Sequence, residues 1–94
     1  MTPEQEMRRG EDASRILAEP LFKECMEKVR SEIIAQWSAA PARDTQGREW
    51  LWQFYQVAAK FENTLVSVME TGKMASLSQK ESLREKAARV WGAK

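Results

Sequence analysis

The side chains able to do chemistry are few, and their company decides what they can do. Cys25 is the single cysteine and the chain contains no histidine, so an intramolecular disulfide, a zinc site and histidine-based acid–base catalysis all lack their usual residues. Cys25 falls in the apolar stripe of a helix, where a small buried thiol is expected rather than a nucleophile. Serines and threonines have no histidine base to activate them, and Thr2 and Ser78 sit where hydroxyls cap helices. The acidic pairs Glu24 and Glu27, and Glu81 and Glu85, are at helical spacing, but each has basic neighbours that make surface ion pairs the simpler use. No glycine loop that could cradle phosphate occurs. No catalytic residue, cofactor-binding residue or metal ligand is assigned, and a protein that is not an enzyme is expected.

Two charged features suit binding better. The segment Pro41-Ala42-Arg43-Asp44-Thr45-Gln46-Gly47-Arg48 sets Arg43 and Arg48 beside free amides at a helix N-terminus, where an anion could be held; the alternative is a capped, solvated turn with Arg48 paired to an acid on a neighbouring helix. The second feature is the segment from Thr71, with Lys73, Lys80, Arg84, Lys86, Arg89 and Lys94 against Glu81 and Glu85. Its net charge is +4 within a chain of 15 basic and 14 acidic residues, so charge is segregated although the whole is near neutral. Lys80, Arg84, Lys86 and Arg89 form a candidate basic patch for phosphates or an acidic protein, and a solvated helix end is the plainer use.

The elements that position these residues are helical. In Thr2-Pro3-Glu4-Gln5 a capping box and a proline at the first helical position predict a helix over 3–18, weakened at Gly10 by about 1 kcal/mol relative to alanine. Pro20 turns the chain and opens a second helix, 21–39, with Phe22, Cys25, Met26, Val29, Ile33 and Trp37 at three- and four-residue spacing. After the turn at 41–47, Asp44 or Thr45 caps a third helix, 45–71, with the seam Leu51, Phe54, Ala58, Phe61, Leu65 and Val68. Gly72-Lys73 reads as its C-terminal punctuation, and Ser78-Gln79-Lys80-Glu81 as the capping box of a fourth helix, 79–91, ended by Gly92. The 94 residues then make one all-α domain, an antiparallel helical hairpin with short flanking N- and C-terminal helices. The charges scattered along the chain and its mean hydropathy of −0.61 predict no membrane partner and no membrane span, and the charged N-terminus predicts no secretory signal.

Four tryptophans in so short a chain point to large buried areas. Trp50 and Trp52 fall on opposite flanks of the third helix's seam, too far apart for one partner helix to cover. Along the Trp52 flank run Tyr55, Ala59 and Val66. Either the first and last helices fold back over this surface, or a second copy or a different protein covers it. Self-association is the leading expectation, with Trp50, Trp52, Tyr55, Ala59 and Val66 at the interface.

The segments LAEPLFKE, IIAQW, PARDTQGREWLW and ETGKMA, within about residues 17 to 75, resemble a group of small helical proteins encoded by tailed phages and prophages among virion-assembly genes. The resemblance implies a non-enzymatic helical protein in the host cytoplasm or the virion, and carries over no functional residue. Three expectations follow. The first is a homo-oligomeric protein of virion or head assembly. The second is a counter-defence or host-takeover protein that sequesters a nucleotide-like ligand or inhibits a host protein, and the third is a DNA-binding accessory acting through the basic segment.

Overall fold

The computed structural model describes residues 1–91, and among them every regular element is an α-helix: α1 Pro3–Ala18, α2 Pro20–Ala39 and α3 Thr45–Trp91. The all-α class is as the spacing predicts. The hairpin with short flanking helices is not an adequate description, because the expected third and fourth helices are one helix of 47 residues. At 1.5 Å per residue α3 runs about 70 Å, and it forms the spine of a particle 76 × 25 × 20 Å. The expected end at Gly92 lies outside the described residues.

Local punctuation works where nothing larger competes with it. Thr2 and Gln5 exchange both capping-box hydrogen bonds, at 2.9 and 3.2 Å, which satisfies two orphan donors at the start of α1. Glu19 is the whole corner between α1 and α2: its backbone is extended, its N–H closes α1 on the Ile16 carbonyl, and Pro20 opens α2 behind it. The Asp44 carboxylate accepts from the Gly47 amide at 3.1 Å and caps α3.

At Gly72 a larger interaction wins. A C-terminal glycine cap needs a left-handed backbone, and no glycine among the described residues has positive φ. Gly72 instead meets Gly10 of α1. A Cβ on Gly72 would stand 2.7 Å from the Gly10 Cα and 2.9 Å from the Glu6 carbonyl, and one on Gly10 would stand 2.8 Å from the Gly72 Cα. The two helices therefore cross backbone to backbone, with Ala13 and Ala75 buried beside the crossing. Burial there offsets the propensity cost of both glycines, so neither helix breaks. Further along, the Gln79 amide donates to Glu4 at 2.9 Å, which fixes α1 antiparallel to α3 with its start opposite Gln79.

The second partner, α2, lies against the first half of α3, also antiparallel. Trp37 meets Trp52 edge to face with ring centroids 6.2 Å apart, and Arg30 bonds Glu62. Near the corner the Phe22 and Phe61 rings are 6.2 Å apart. Met26 and Ile33 are the buried apolar residues of α2. Cys25 is exposed, contrary to its expected burial: α2 turns Phe22, Met26, Ile33 and Trp37 toward α3, and Cys25 lies to the side of that stripe.

Candidate functional site

Two helices share the circumference of α3 unequally, and this leaves an extended apolar surface open. With successive residues about 100° apart, the α3 residues that are half-buried toward α2 are Leu51, Tyr55, Ala58, Ala59, Glu62, Leu65 and Val66. The α1 helix covers a different face, roughly a quarter turn away, through Val68, Gly72, Ala75 and Gln79. Followed toward the N-terminus in steps of three and four, that second face continues through Phe61, Val57, Phe54 and Trp50. Because α1 begins opposite Gln79 and the corner at Glu19 ends it near the middle of α3, no helix among the described residues lies over these four, although Phe22 of α2 touches Phe61 from the side. All four are more than half exposed, from 55% at Phe61 to 67% at Val57.

The surface is a groove rather than a flat stripe, because α2 forms its other wall. Val29, Glu32, Ile33 and Gln36 of α2 face Leu51, Phe54, Val57 and Ala58 of α3. At the turn end the groove continues past Ala39, Pro41, Asp44 and Trp50. The charged residues lining it are Glu32 and Asp44, both acidic. The groove is therefore apolar in its floor and negative at its rim.

The residues expected at an interface divide. Trp50 lies on the open face. Trp52 is turned to the other side and packs on Trp37, while Tyr55, Ala59 and Val66 are half-buried toward α2. The reason is the position of α2, which sits over Tyr55 and Glu62 rather than centrally over Phe54 and Phe61. The expected seam is thus split: Leu51, Ala58 and Leu65 face α2 together with the Tyr55 flank, while Phe54 and Phe61 stay open, and the exposed stripe is Trp50, Phe54, Val57 and Phe61. Its signal in the sequence was the 4-3-4 spacing of these four, which reads equally well as a packed seam.

Arg48 is spent on the fold. Its guanidinium donates to the Trp37 and Ala40 carbonyls, each at 3.3 Å, and lies 5.5 Å from the Trp37 ring centroid. A cation there satisfies the Ala40 carbonyl, adds a second bond to the Trp37 carbonyl that already accepts from the Ala40 N–H, and complements the dipole of α2. Arg43 is exposed in the turn, whereas Arg48 is half-buried and directed at the end of α2, so the two do not share one role. Arg30 bonds Glu62 across the helices and also lies 3.8 Å from Glu27. The hydrogen bond to Glu62 raises the Arg30 pKa above its ordinary value, against a smaller opposing effect of desolvation.

The far end of α3 has the opposite character. From Lys80 to Trp91 every residue is exposed, since α1 starts opposite Gln79. This free tail carries Leu83, Ala87, Val90 and Trp91 along one side, with Leu83 64% and Trp91 82% exposed. With about 100° per residue, Arg84 borders that stripe beside Trp91 and Lys86 borders it beside Val90, Lys80 falls within its arc at the start of the tail, and Arg89 lies farther round, next to Glu85. The four bases do not form one face. Arg84 and Lys86 flank the apolar stripe, with Glu81 and Glu85 on the opposite side.

Comparison with family models, with curated proteins and with solved structures finds no match to the chain. Among the described residues no helix is long and apolar enough to cross a membrane. The fold and surface together define the chain as an all-helical protein built on one long helix, with an open apolar groove at one end and an unaccompanied basic helix at the other.

Proposed function

We propose that the chain is a non-enzymatic helical interaction protein whose working form is a self-assembled oligomer, acting in virion or head assembly of a tailed phage. The phage setting rests on the resemblance of its segments to small phage helical proteins. Self-assembly rests on the amount of surface left open. The chain has 7722 Å² of accessible surface, whereas a compact monomer of 10.8 kDa exposes about 5,500 Å². Its radius of gyration of 21.2 Å compares with about 12 Å for a compact chain of this length.

The excess, about 2,200 Å², is not polar decoration. Ala13, Met26, Ile33 and Ala75 are the apolar residues that count as buried, while Leu21, Trp50, Phe54, Val57, Phe61, Leu77 and Leu83 are all more than half exposed. Four partly shielded side chains are a small core for an ordered domain, and exposed apolar surface on this scale marks association. Light scattering on the purified chain, from low to high micromolar concentration, tests the reading. The expected mass is above 10.8 kDa and rises with concentration or settles at a fixed multiple. A single-chain mass throughout would refute it.

A further inference from the structure

The two unaccompanied surfaces of the molecule match each other, and we infer that the basic tail of one copy, residues 80–91, docks head to tail in the α2–α3 groove of the next. The inference rests on the self-association proposed above and names the surfaces that would carry it.

Length is the first argument. The open stripe from Trp50 to Phe61 and the free tail from Lys80 to Trp91 each span twelve residues, about 18 Å of helix. Both are free for the same reason, that α1 stops short of them. The groove cannot be filled from within the chain, because α3 is one straight element and its residue 80 lies about 28 Å beyond Phe61.

Chemistry is the second argument. The tail presents Leu83, Ala87, Val90 and Trp91 as an apolar stripe flanked by Arg84 and Lys86, with Lys80 at its leading end, and the groove has an apolar floor with Glu32 and Asp44 at its rim. An amphipathic helix laid in such a groove buries its stripe and leaves its bases at the acidic edge, with their stems along apolar surface.

Sterics set the direction. A helix entering antiparallel to α3 would lay its own residues 64–79 where α1 already runs. Entering parallel, only the two free ends overlap. Such a contact is heterologous, so an unclosed assembly always keeps one open groove at one end and one open tail at the other, and the assembly is a ring or an open chain of copies. It uses two patches per copy at about 800 Å² each, which the excess surface covers.

Mixing variants of the full chain tests this. The tail variant Leu83→Asp with Val90→Asp and the groove variant Phe54→Asp with Val57→Asp change side chains that are more than half exposed, so the helical fold is retained and circular dichroism checks it. Each variant alone should scatter light as a single chain. An equimolar mixture should give a capped pair of twice 10.8 kDa, because the intact groove of one accepts the intact tail of the other. Trp91→Glu, at an end position that cannot disturb packing, should weaken assembly at least tenfold. If the tail variants assemble like the unaltered chain, or the mixture stays monomeric, the head-to-tail contact is refuted while self-association stands on another surface. An unaltered chain that is itself monomeric removes the underlying reading instead.

Discussion

Replacing Gly72 by alanine tests the whole arrangement of α1 on the spine. The added Cβ would stand 2.7 Å from the Gly10 Cα and 2.9 Å from the Glu6 carbonyl. Both are backbone atoms of α1, so no side chain can rotate out of the way. Carbon–carbon contacts settle at about 3.5–4.0 Å, which requires α1 to withdraw by about 1 Å. That shift loosens the packing around Ala13 and Ala75, the two buried residues next to the crossing. Overpacking of this kind costs about 1–3 kcal/mol. Against it stands the gain of about 1 kcal/mol that alanine brings to a helix interior over glycine. The net expectation is a loss of about 1 kcal/mol, a fall of about 4–8 °C in Tm for a domain of this size.

Gly47→Ala is the matching control. Its Cβ would also meet a close atom, Asp44 Oδ2, but that is the end of a flexible side chain. Loss of part of the Asp44 cap, about 1 kcal/mol, and the alanine gain of similar size nearly cancel. Thermal unfolding followed at 222 nm, at one fixed chain concentration because association shifts Tm, compares the two. Amide exchange then locates the effect: protection should fall in α1 and persist in α2 for Gly72→Ala. A Gly72→Ala protein as stable as the original, with α1 still protected, would refute the glycine crossing and the course of α1 with it.

The cap on α2 gives a second prediction. Arg48→Met keeps a long apolar stem over Trp37 but removes both hydrogen bonds to the Trp37 and Ala40 carbonyls, and should cost about 1–2 kcal/mol in urea unfolding; an unchanged midpoint would mean the carbonyls are satisfied otherwise. For the pair across α2 and α3, Arg30→Met and Glu62→Gln should each lower Tm, and the double variant should be no worse than the poorer single one, since both remove the same interaction. Strict additivity would show the two residues act separately.

What could be read from the sequence depended on the range of the interaction that decided it. Thr2 with Gln5, Glu19 before Pro20, and Asp44 before Gly47 act within four residues, and their spelling locates the helix starts. Gly72-Lys73 and Ser78-Gln79-Lys80-Glu81 are spelled in the same way as a stop and a start, yet the helix runs through both. The deciding contact is Gly10, 62 residues earlier in the chain. One signal for it was present: Gly10, Ala13 and Ser14 repeat the size pattern of Gly72, Ala75 and Ser76, small residues three and four apart that allow two backbones to approach. Each glycine judged alone reads as a weak point, and judged as a pair reads as a crossing.

The same logic explains why the open groove was hard to locate. Trp50, Phe54, Val57, Phe61, Val68, Gly72, Ala75 and Gln79 form one continuous stripe of α3, and periodicity alone asks only that a stripe be covered. Whether the cover comes from the same chain depends on how far each partner helix reaches, which is fixed by Glu19 and by the contact between Gln79 and Glu4. Along the stripe the residues change from bulky, Trp50 to Phe61, to small at Gly72 and Ala75. Where α1 lies against it the stripe is small, because two backbones approach there; where α1 is absent it is aromatic and branched, suited to receive a helix of larger side chains. Leu83, Val90 and Trp91 on the tail are side chains of that kind. A helix presenting them sits farther from its partner than α1 does, so the two halves of the stripe select different occupants by depth alone. That is a reason for the tail of a second copy, rather than a longer α1, to complete the surface.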